Sequence, residues 1–484
     1  MPDPLYLLLS GVTLVLTPLA VGHAMLNKRK ASSAGAWVFV CLVFPVLGSV
    51  LYYIFGMDRV RGRAARLLKE DRRRRTSGFS GPMHGGPRHD TPPGVIGSDH
   101  LAFAWQNMAQ VGEAVTSRPL AAGNSMDILH NGEAAYPAML AAIAGARRYV
   151  FLSTYIFEAK GIGAEFIDAL ASAKERGVDV RVLVDGVGGL YSRPNIRNAL
   201  LERGVRAEWF LRPSLRKPSF SLNLRNHAKL LVADGEVAFT GGMNIRNQHI
   251  VAGNASRRRI QDIQFRFVGP VTAQLQEAFL EDWGFVTGEY ASPYQVAGES
   301  QGGLMCRTVS AGPDYEENRL TNLLSALISS ARDRVWIMTP YFLPPRTLMG
   351  ALESASLRGV DVSVILPGKN NLPYMHWAGR NIVAELLDFG ISIYYQPPPF
   401  CHSKLLLIDD YYLQVGSANL DARSLALNFE CSVEVFGNEP ATTLGDFFES
   451  VKAKARRVEV GELARRPVWE NLRDSFFWMF KPYL

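Results

Sequence analysis

His227-Ala228-Lys229-Leu230-Leu231-Val232-Ala233-Asp234 recurs 175 residues later as His402-Ser403-Lys404-Leu405-Leu406-Leu407-Ile408-Asp409, so both stretches read H-x-K-x4-D. Each runs on to a glycine seven residues past its aspartate, giving Gly241-Gly242-Met243-Asn244 in one copy and Gly416-Ser417-Ala418-Asn419 in the other. The apolar runs Leu230 to Ala233 and Leu405 to Ile408 are expected strands, and in a strand residues i and i+2 share a face. His227 and Lys229 therefore project together, as do His402 and Lys404. Asp234-Gly235 is a two-residue hairpin signal with Val237 to Thr240 returning, so Asp234 and Asp409 have turn chemistry as the alternative to a catalytic role. Gly241 and Gly416 would let a backbone approach a ligand closely, and the amides of Asn244 and Asn419 can donate to an oxyanion.

The repeat extends outward from these motifs. Arg176-Gly177-Val178-Asp179-Val180 returns as Arg358-Gly359-Val360-Asp361-Val362, each after a helical pattern and before a β-rich run, Arg181 to Val184 and Ser363 to Leu366. Upstream, Val150-Phe151-Leu152-Ser153-Thr154 matches Val335-Trp336-Ile337-Met338-Thr339. Strand, helix and strand in each half predict α/β units with parallel strands, duplicated once and so too few for a solenoid.

Two histidines, two lysines and two asparagines meeting at a pseudo-twofold interface make a cationic pocket suited to a phosphodiester. One neutral imidazole can attack phosphorus while the other, protonated, donates to the leaving alkoxide. Lysines and asparagines would hold the non-bridging oxygens as charge develops, with no metal and no cofactor required. Each histidine needs an orienting carboxylate; Asp262 and Glu430, each downstream of the histidine in its own half, are the candidates. The candidate catalytic set is thus His227, Lys229, Asp234, His402, Lys404 and Asp409, supported by Asn244, Asn419, Asp262, Glu430, Gly241, Gly242, Gly416 and Ser417.

The chain has 484 residues, 48% hydrophobic and 20% charged, which excludes a disordered chain, a collagen-like fibre and a small disulfide scaffold. Cys41, Cys306, Cys401 and Cys431 show no CxxC spacing, which fits a reducing compartment. Of the net charge of +7, the first 75 residues carry +8 and the remainder −1. A nuclease would need a basic body to neutralise phosphates, so no nucleic-acid partner is expected.

The basic excess sits beside two apolar runs, Pro4 to Leu26 and Ala34 to Phe55, each long enough to cross a bilayer. The positive charges Lys28, Arg29 and Lys30 follow the first run rather than precede it, which argues against a cleaved signal peptide. The nine cations from Arg59 to Arg75 place that side in the cytoplasm by the positive-inside tendency. They also suit anionic headgroups, at about 1 kcal/mol each near the surface. Thr76 to Ser98 is a Gly/Pro-rich linker in which His84 and His89 are solvated. The stretch Arg212 to Arg225 is basic and either meets headgroups or is a solvated loop. Trp469, Leu472, Phe476, Met479 and Phe480 have near-helical spacing, as an interfacial helix or one packed on the body.

These residues resemble the phospholipase D superfamily, and within it the bacterial cardiolipin synthase branch. The closer likeness rests on Thr240-Gly241-Gly242-Met243-Asn244, Asn419-Leu420-Asp421-Ala422-Arg423-Ser424, Leu427-Asn428-Phe429-Glu430, Thr339-Pro340-Tyr341-Phe342, and Pro45-x-x-Gly48 leading to Tyr52-Tyr53-Ile54-Phe55-Gly56. The resemblance implies two α/β domains sharing one active site, behind two transmembrane helices in a bacterial inner membrane, with the body cytoplasmic. It implies a phosphatidyl-enzyme intermediate and phosphatidyl transfer from phosphatidylglycerol to a second lipid alcohol. His227 is implied as nucleophile and His402 as acid/base, an order the near symmetry of the halves leaves interchangeable. A hydrolase of the same superfamily, with water as acceptor, is the alternative. The expected boundaries are 1–58 for the spans, 59–100 for the linker, and 101–295 and 296–484 for the two domains; oligomeric state is left open. Leu343-Pro344-Pro345-Arg346, Ala228 and Gln261 depart from the branch's pattern and bear on donor and acceptor preference.

Overall fold

The computed structural model describes residues 4–28, 31–56, 101, 103–212, 224–253, 256, 258–294, 300–312, 319–463 and 465–481. The expected linker, with its nine cations, His84 and His89, and most of the basic stretch Arg212 to Arg225 lie outside the described residues. Two compact units emerge, 1–63 and 64–484.

In the first unit, the apolar sequence forms a helix Pro4–Asn27, then helices Ala31–Val43 and Pro45–Leu51 and a π-helical turn Tyr52–Gly56. The second apolar run is therefore not the single continuous span its composition suggested. Proline disfavours the α conformation in the residue before it, and Phe44 duly sits at φ −123°, ψ 73°. Gly48 lets the pieces pack, since a Cβ there would lie 2.3 Å from the Val40 carbonyl oxygen. Thr17 Oγ1 donates to the Pro45 carbonyl at 3.0 Å, and His23 Nδ1 meets the Tyr52 hydroxyl at 2.8 Å. The first helix is fully described from Thr13 onward. Among the fully described residues, no helix is long and apolar enough to cross a membrane.

The second unit is α/β. Its first half supplies strands β1 (Ala121–His130), β2 (Tyr149–Thr154), β3 (Asp179–Asp185), β4 (Arg206–Phe210), β5 (Leu230–Ala233), β6 (Val237–Gly241), β7 (Ile260–Gln261) and β8 (Ile263–Val268). Its second half supplies β9 (Leu304–Ala311), β10 (Arg334–Met338), β11 (Phe342–Leu343), β12 (Asp361–Pro367), β13 (Ser392–Gln396), β14 (Phe400–Cys401), β15 (Leu405–Ile408), β16 (Tyr412–Gly416), β17 (Leu420–Asp421), β18 (Glu430–Phe436) and β19 (Arg456–Arg457). Among the described residues, 15 of these strands form one sheet in the order β19-β13-β12-β10-β15-β16-β18-β9-β1-β8-β6-β5-β2-β3-β4. Read outward from the β9/β1 junction, the two halves have the same order, with β19 added at the edge of the second. β2, β3 and β4 run parallel, as do β10, β12 and β13, with the β5–β6 and β15–β16 hairpins antiparallel beside them.

Burial explains the strand composition. Every residue of β2 is buried, as expected of a strand covered by helices on both faces. In helix Arg319–Ser330 the buried positions Leu320, Leu323, Leu324, Leu327 and Ile328 follow the 3.6-residue period. Helices Val271–Thr287 and Asn438–Lys452 cover a common sheet face, where Phe279, Trp283, Leu444 and Phe448 join one core with strands of both halves. Two short pairings also cross between halves: β7 with β14, and a bridge from Asn226 to Phe429. The hairpin turn is three residues rather than two, because Ala233 pairs with Val237 across Asp234-Gly235-Glu236. Asp234 and Gly235 take φ of 54° and 70° there.

Candidate active site

Each His-x-Lys lies just ahead of its hairpin strand. Leu230 pairs with Ser153 near the C-terminal end of β2, and Leu405 with Met338 at that of β10. The motifs therefore sit at the carboxyl edge of the parallel strands, where open α/β sheets place their ligands. The inter-half pairings fix the histidine backbones, His227 N donating to the Phe429 carbonyl and His402 N to the Gln261 carbonyl, both at 2.8 Å.

The carboxylates are exchanged relative to the expectation that each serves the histidine of its own half. His227 Nδ1 lies 3.0 Å from both Glu430 oxygens, and His402 Nδ1 lies 2.9 Å from Asp262 Oδ2. The reason is the crossing of β7 with β14 and of Asn226 with Phe429, which carries the residue after each pairing into the opposite half. Within its own half each carboxylate meets the residue after the hairpin glycine. Ser417 Oγ donates to Glu430 Oε2 at 2.6 Å, whereas a Cβ at the equivalent Gly242 would lie 2.4 Å from Asp262 Oδ1. Asn428 Nδ2 adds a bond to Glu430 Oε1 at 3.1 Å, and the Ile263 amide one to Asp262 Oδ1 at 2.8 Å.

A carboxylate can only accept, so each neutral ring carries its proton on Nδ1 and presents Nε2 as a free lone pair. Lys229 Nζ donates to its own histidine's carbonyl at 2.5 Å, and Lys404 Nζ to that of His402 while lying 2.9 Å from His402 Nδ1. Burial, aided by the lysine charges and opposed by the carboxylates, lowers the pKa of His227 to about 4 and of His402 to about 3. Burial thus favours the neutral form of each imidazole in the free site. Burial likewise lowers Lys229 to about 7 and Lys404 to about 8, against the pull of Glu430 and Asp262. Burial would raise the Asp262 and Glu430 carboxyls, but the bonded histidines and the lysines hold both below their ordinary values.

Four expected site residues are elsewhere or do something else. Asp234 lies past the far end of β5 and accepts from the backbone amides of Arg147, Arg148 and Tyr149 at 2.7, 2.8 and 2.8 Å. Asp409 does the same for Arg332, Asp333 and Arg334. These aspartates tie the hairpin to the incoming strand. Gly241 and Gly416 make room for the neighbouring strand. A Cβ at Gly241 would lie 2.6 Å from the Ile263 carbonyl oxygen, and one at Gly416 2.5 Å from that of Cys431. Asn244 and Asn419 are both buried. Asn244 Oδ1 accepts from the Ile156 amide at 2.9 Å, and Asn419 Nδ2 approaches Ser424 Oγ at 3.3 Å.

Sequence reasoning missed His249, Tyr155 and Phe400. His249 is fully buried, its ring centroid 6.3 Å from that of His402, and its Nε2 accepts from the Asn244 amide at 3.3 Å. Tyr155 stands edge-on to His227 at 5.4 Å, and Phe400 lies 6.0 Å from His402. The one signal for Tyr155 was its place directly after the duplicated strand end at Thr154, which went unused; nothing in spacing pointed to His249. Among the described residues no group of three His, Cys, Asp or Glu side chains could hold a metal ion.

The family model described as cardiolipin synthase, PLD-like domain matches residues 139–283 and 324–452, more than half of the chain. The chain belongs to this cardiolipin synthase family of phospholipase D-like proteins. A second model, phospholipase D-nuclease N-terminal, matches residues 15–56. Among curated members, the major cardiolipin synthase of Bacillus subtilis (strain 168) is 29% identical over 477 residues, covering 95% of each chain. A cardiolipin synthase 2 of Staphylococcus epidermidis is 27% identical over 464 residues, covering 95% of this chain and 94% of its own. The solved phosphatidylserine synthase of Haemophilus influenzae Rd KW20 has 14% identity and a TM-score of 0.58, covering 78% of this chain and all of that one, so its likeness is one of fold. In this family member, two imidazole lone pairs stand beside two buried lysines.

Proposed function

We propose that the protein is a membrane-bound cardiolipin synthase, transferring a phosphatidyl group from one phosphatidylglycerol to another with release of glycerol. The observation that carries the reading is the pair of imidazoles, each held at Nδ1 by a carboxylate of the opposite half. His227 Nε2 attacks phosphorus and the P–O bond to glycerol breaks, the departing alkoxide taking a proton from His402. His402, now neutral, removes the proton from the hydroxyl of the second phosphatidylglycerol, whose oxygen attacks phosphorus and displaces His227. Burial disfavours a protonated His402, and the negative charge of the bound phosphodiester helps it to hold its proton. Lys229 and Lys404, with the amides of Asn244 and Asn419, stabilise the equatorial oxygens.

Phosphatidylglycerol and other anionic phospholipids are the partners in this reading. The helix Pro4–Asn27 and the broken run from Ala31 to Gly56 anchor residues 1–58 in a bacterial inner membrane. Residues 59–100 tether the domains 101–295 and 296–484 on the cytoplasmic side. The test supplies purified full-length protein with labelled phosphatidylglycerol in mixed micelles. Cardiolipin and free glycerol are expected, and phosphatidic acid alone would make the protein a hydrolase. His227→Ala should abolish both turnover and the covalent phospho-enzyme; a covalent species that persists would assign the attack to His402.

A further inference from the structure

The C-terminal helix Val468–Met479 presents its polar side to the protein and its apolar side to the outside. Asp474 is fully buried and accepts from Arg473 Nη2 at 2.8 Å and Arg380 Nη1 at 3.3 Å, with Arg466 completing its shell. Phe477 alone turns inward, its ring 5.1 Å from Trp377 and 6.4 Å from Tyr374. Trp469, Leu472, Phe476, Met479 and Phe480 fall on one outward stripe and are 61, 67, 55, 69 and 43% exposed. A surface helix normally has the opposite polarity, and a contiguous apolar patch marks an interaction site where scattered apolar residues would not.

The position of the stripe identifies what covers it. Tyr374, which packs on this helix, closely follows Asn371, whose Oδ1 accepts from the Tyr341 hydroxyl at 2.8 Å. The Tyr341 ring lies 6.5 Å from that of Phe400, the neighbour of His402, and the turn Gly188–Tyr191 lies against Tyr155, a Cβ at Gly188 falling 1.7 Å from the Tyr155 carbonyl oxygen. Tyr155 is the residue edge-on to His227. Leu190 and Tyr191 belong to the other half of the protein and are themselves 66 and 61% exposed. Exposed apolar residues from both halves therefore neighbour the aromatic side chains that stand against the two histidines. At the border of the stripe, the Arg473 guanidinium lies over the rings of Trp469 and Trp377 at 5.3 and 4.6 Å. Aromatic rings beside a cation suit the boundary between headgroup and acyl chain.

We propose that the outward face of helix Val468–Met479, together with Leu190 and Tyr191, is the surface on which the catalytic unit lies against an anionic phospholipid bilayer. The inference rests on the reading that the substrate is a phospholipid. The stripe then holds the catalytic unit at the bilayer surface and takes no part in binding an individual substrate lipid.

Two measurements on the full-length chain decide it. The variant Trp469→Ser/Leu472→Ser/Phe476→Ser leaves the Asp474 ion pairs intact. Its turnover of phosphatidylglycerol in vesicles should fall by about tenfold or more. Its turnover of a short-chain phosphatidylglycerol below the critical micelle concentration should not change. Unchanged vesicle turnover, or equal loss on both substrates, overturns the proposal. The second measurement places an environment-sensitive fluorophore on Leu472→Cys, the native cysteines all being buried. In nanodiscs containing phosphatidylglycerol brominated near the glycerol esters, the emission should shift to the blue and be quenched. A probe that stays water-exposed overturns the proposal. So does a probe that is shielded without quenching while the chain is dimeric in detergent, since a second copy then covers the stripe. If the unsubstituted chain turns over neither substrate, the catalytic reading fails, and the probe still reports on docking.

Discussion

Glu430 acts on three groups at once: it accepts from His227 Nδ1, and its charge raises Lys229 and Lys404 against the burial that lowers them to about 7 and about 8. Glu430→Gln keeps the volume and an acceptor oxygen but removes the charge. Loss of the carboxylate behind a catalytic imidazole should lower kcat by about 10²-fold or more. The pH profile separates this from a merely structural effect. A lysine is charged below its pKa and loses that charge as pH rises through it, so kcat/KM for the anionic donor should fall on the alkaline side. Without Glu430 both lysine pKa values drop further, and that alkaline limb should move to lower pH; a limb that stays in place would reduce Glu430 to a spacer. Which carboxylate meets which histidine was not legible in the sequence. His227 and Glu430 are 203 residues apart and His402 and Asp262 are 140 apart, so no local period reports on either contact. The role of Asp234 was half legible, because its turn position was visible while the amides it binds belong to a distant segment.

At the scale of elements, the duplicated apolar runs located β2, β3, β10 and β12 because fully covered parallel strands need near-continuous apolar sequence. The break at Phe44-Pro45 was not read from the chain, and proline alone does not announce it, since Pro18 lies within the continuous helix Pro4–Asn27. What the hairpin glycines do was not legible, since a close approach to a ligand and to a neighbouring strand require the same missing Cβ. Two glycines make the distinction measurable. A Cβ at Gly416 would meet the Cys431 carbonyl oxygen and Ser432 Cα at 2.5 Å each, backbone atoms that cannot turn aside. Gly416→Ala should therefore destabilise by about 2 kcal/mol or more. It should also reduce turnover, because the strand it displaces begins at Glu430. Gly350, inside helix Arg346–Leu357, has nothing within 4 Å of its Cβ position. Gly350→Ala should raise stability by about 0.5–1 kcal/mol and leave turnover unchanged. Thermal unfolding and the phosphatidylglycerol assay on the two variants check both expectations.

At the scale of the whole molecule, the repeat announced two units, but not that their strands join in one sheet or that neither half completes its own histidine. The junction is made by Ala121 with Cys306, Asn124 with Leu304, and the Gln301 amide donating to the Gly123 carbonyl at 2.8 Å. A chain divided between Tyr294 and Ser300 keeps every described strand whole while separating His227 from Glu430 and His402 from Asp262. Neither fragment should form cardiolipin alone, and co-expression of the two should restore it. The pseudo-twofold leaves one escape, because two copies of the first fragment could pair as the halves do. Asp262 would then stand where Glu430 stands, one methylene short of the ring, and Gly242 where Ser417 donates its hydroxyl. Such a dimer should assemble in a sizing column without turning over phosphatidylglycerol. Turnover by the first fragment on its own would mean that the unequal carboxylates are interchangeable, and that the crossing of the halves serves assembly alone.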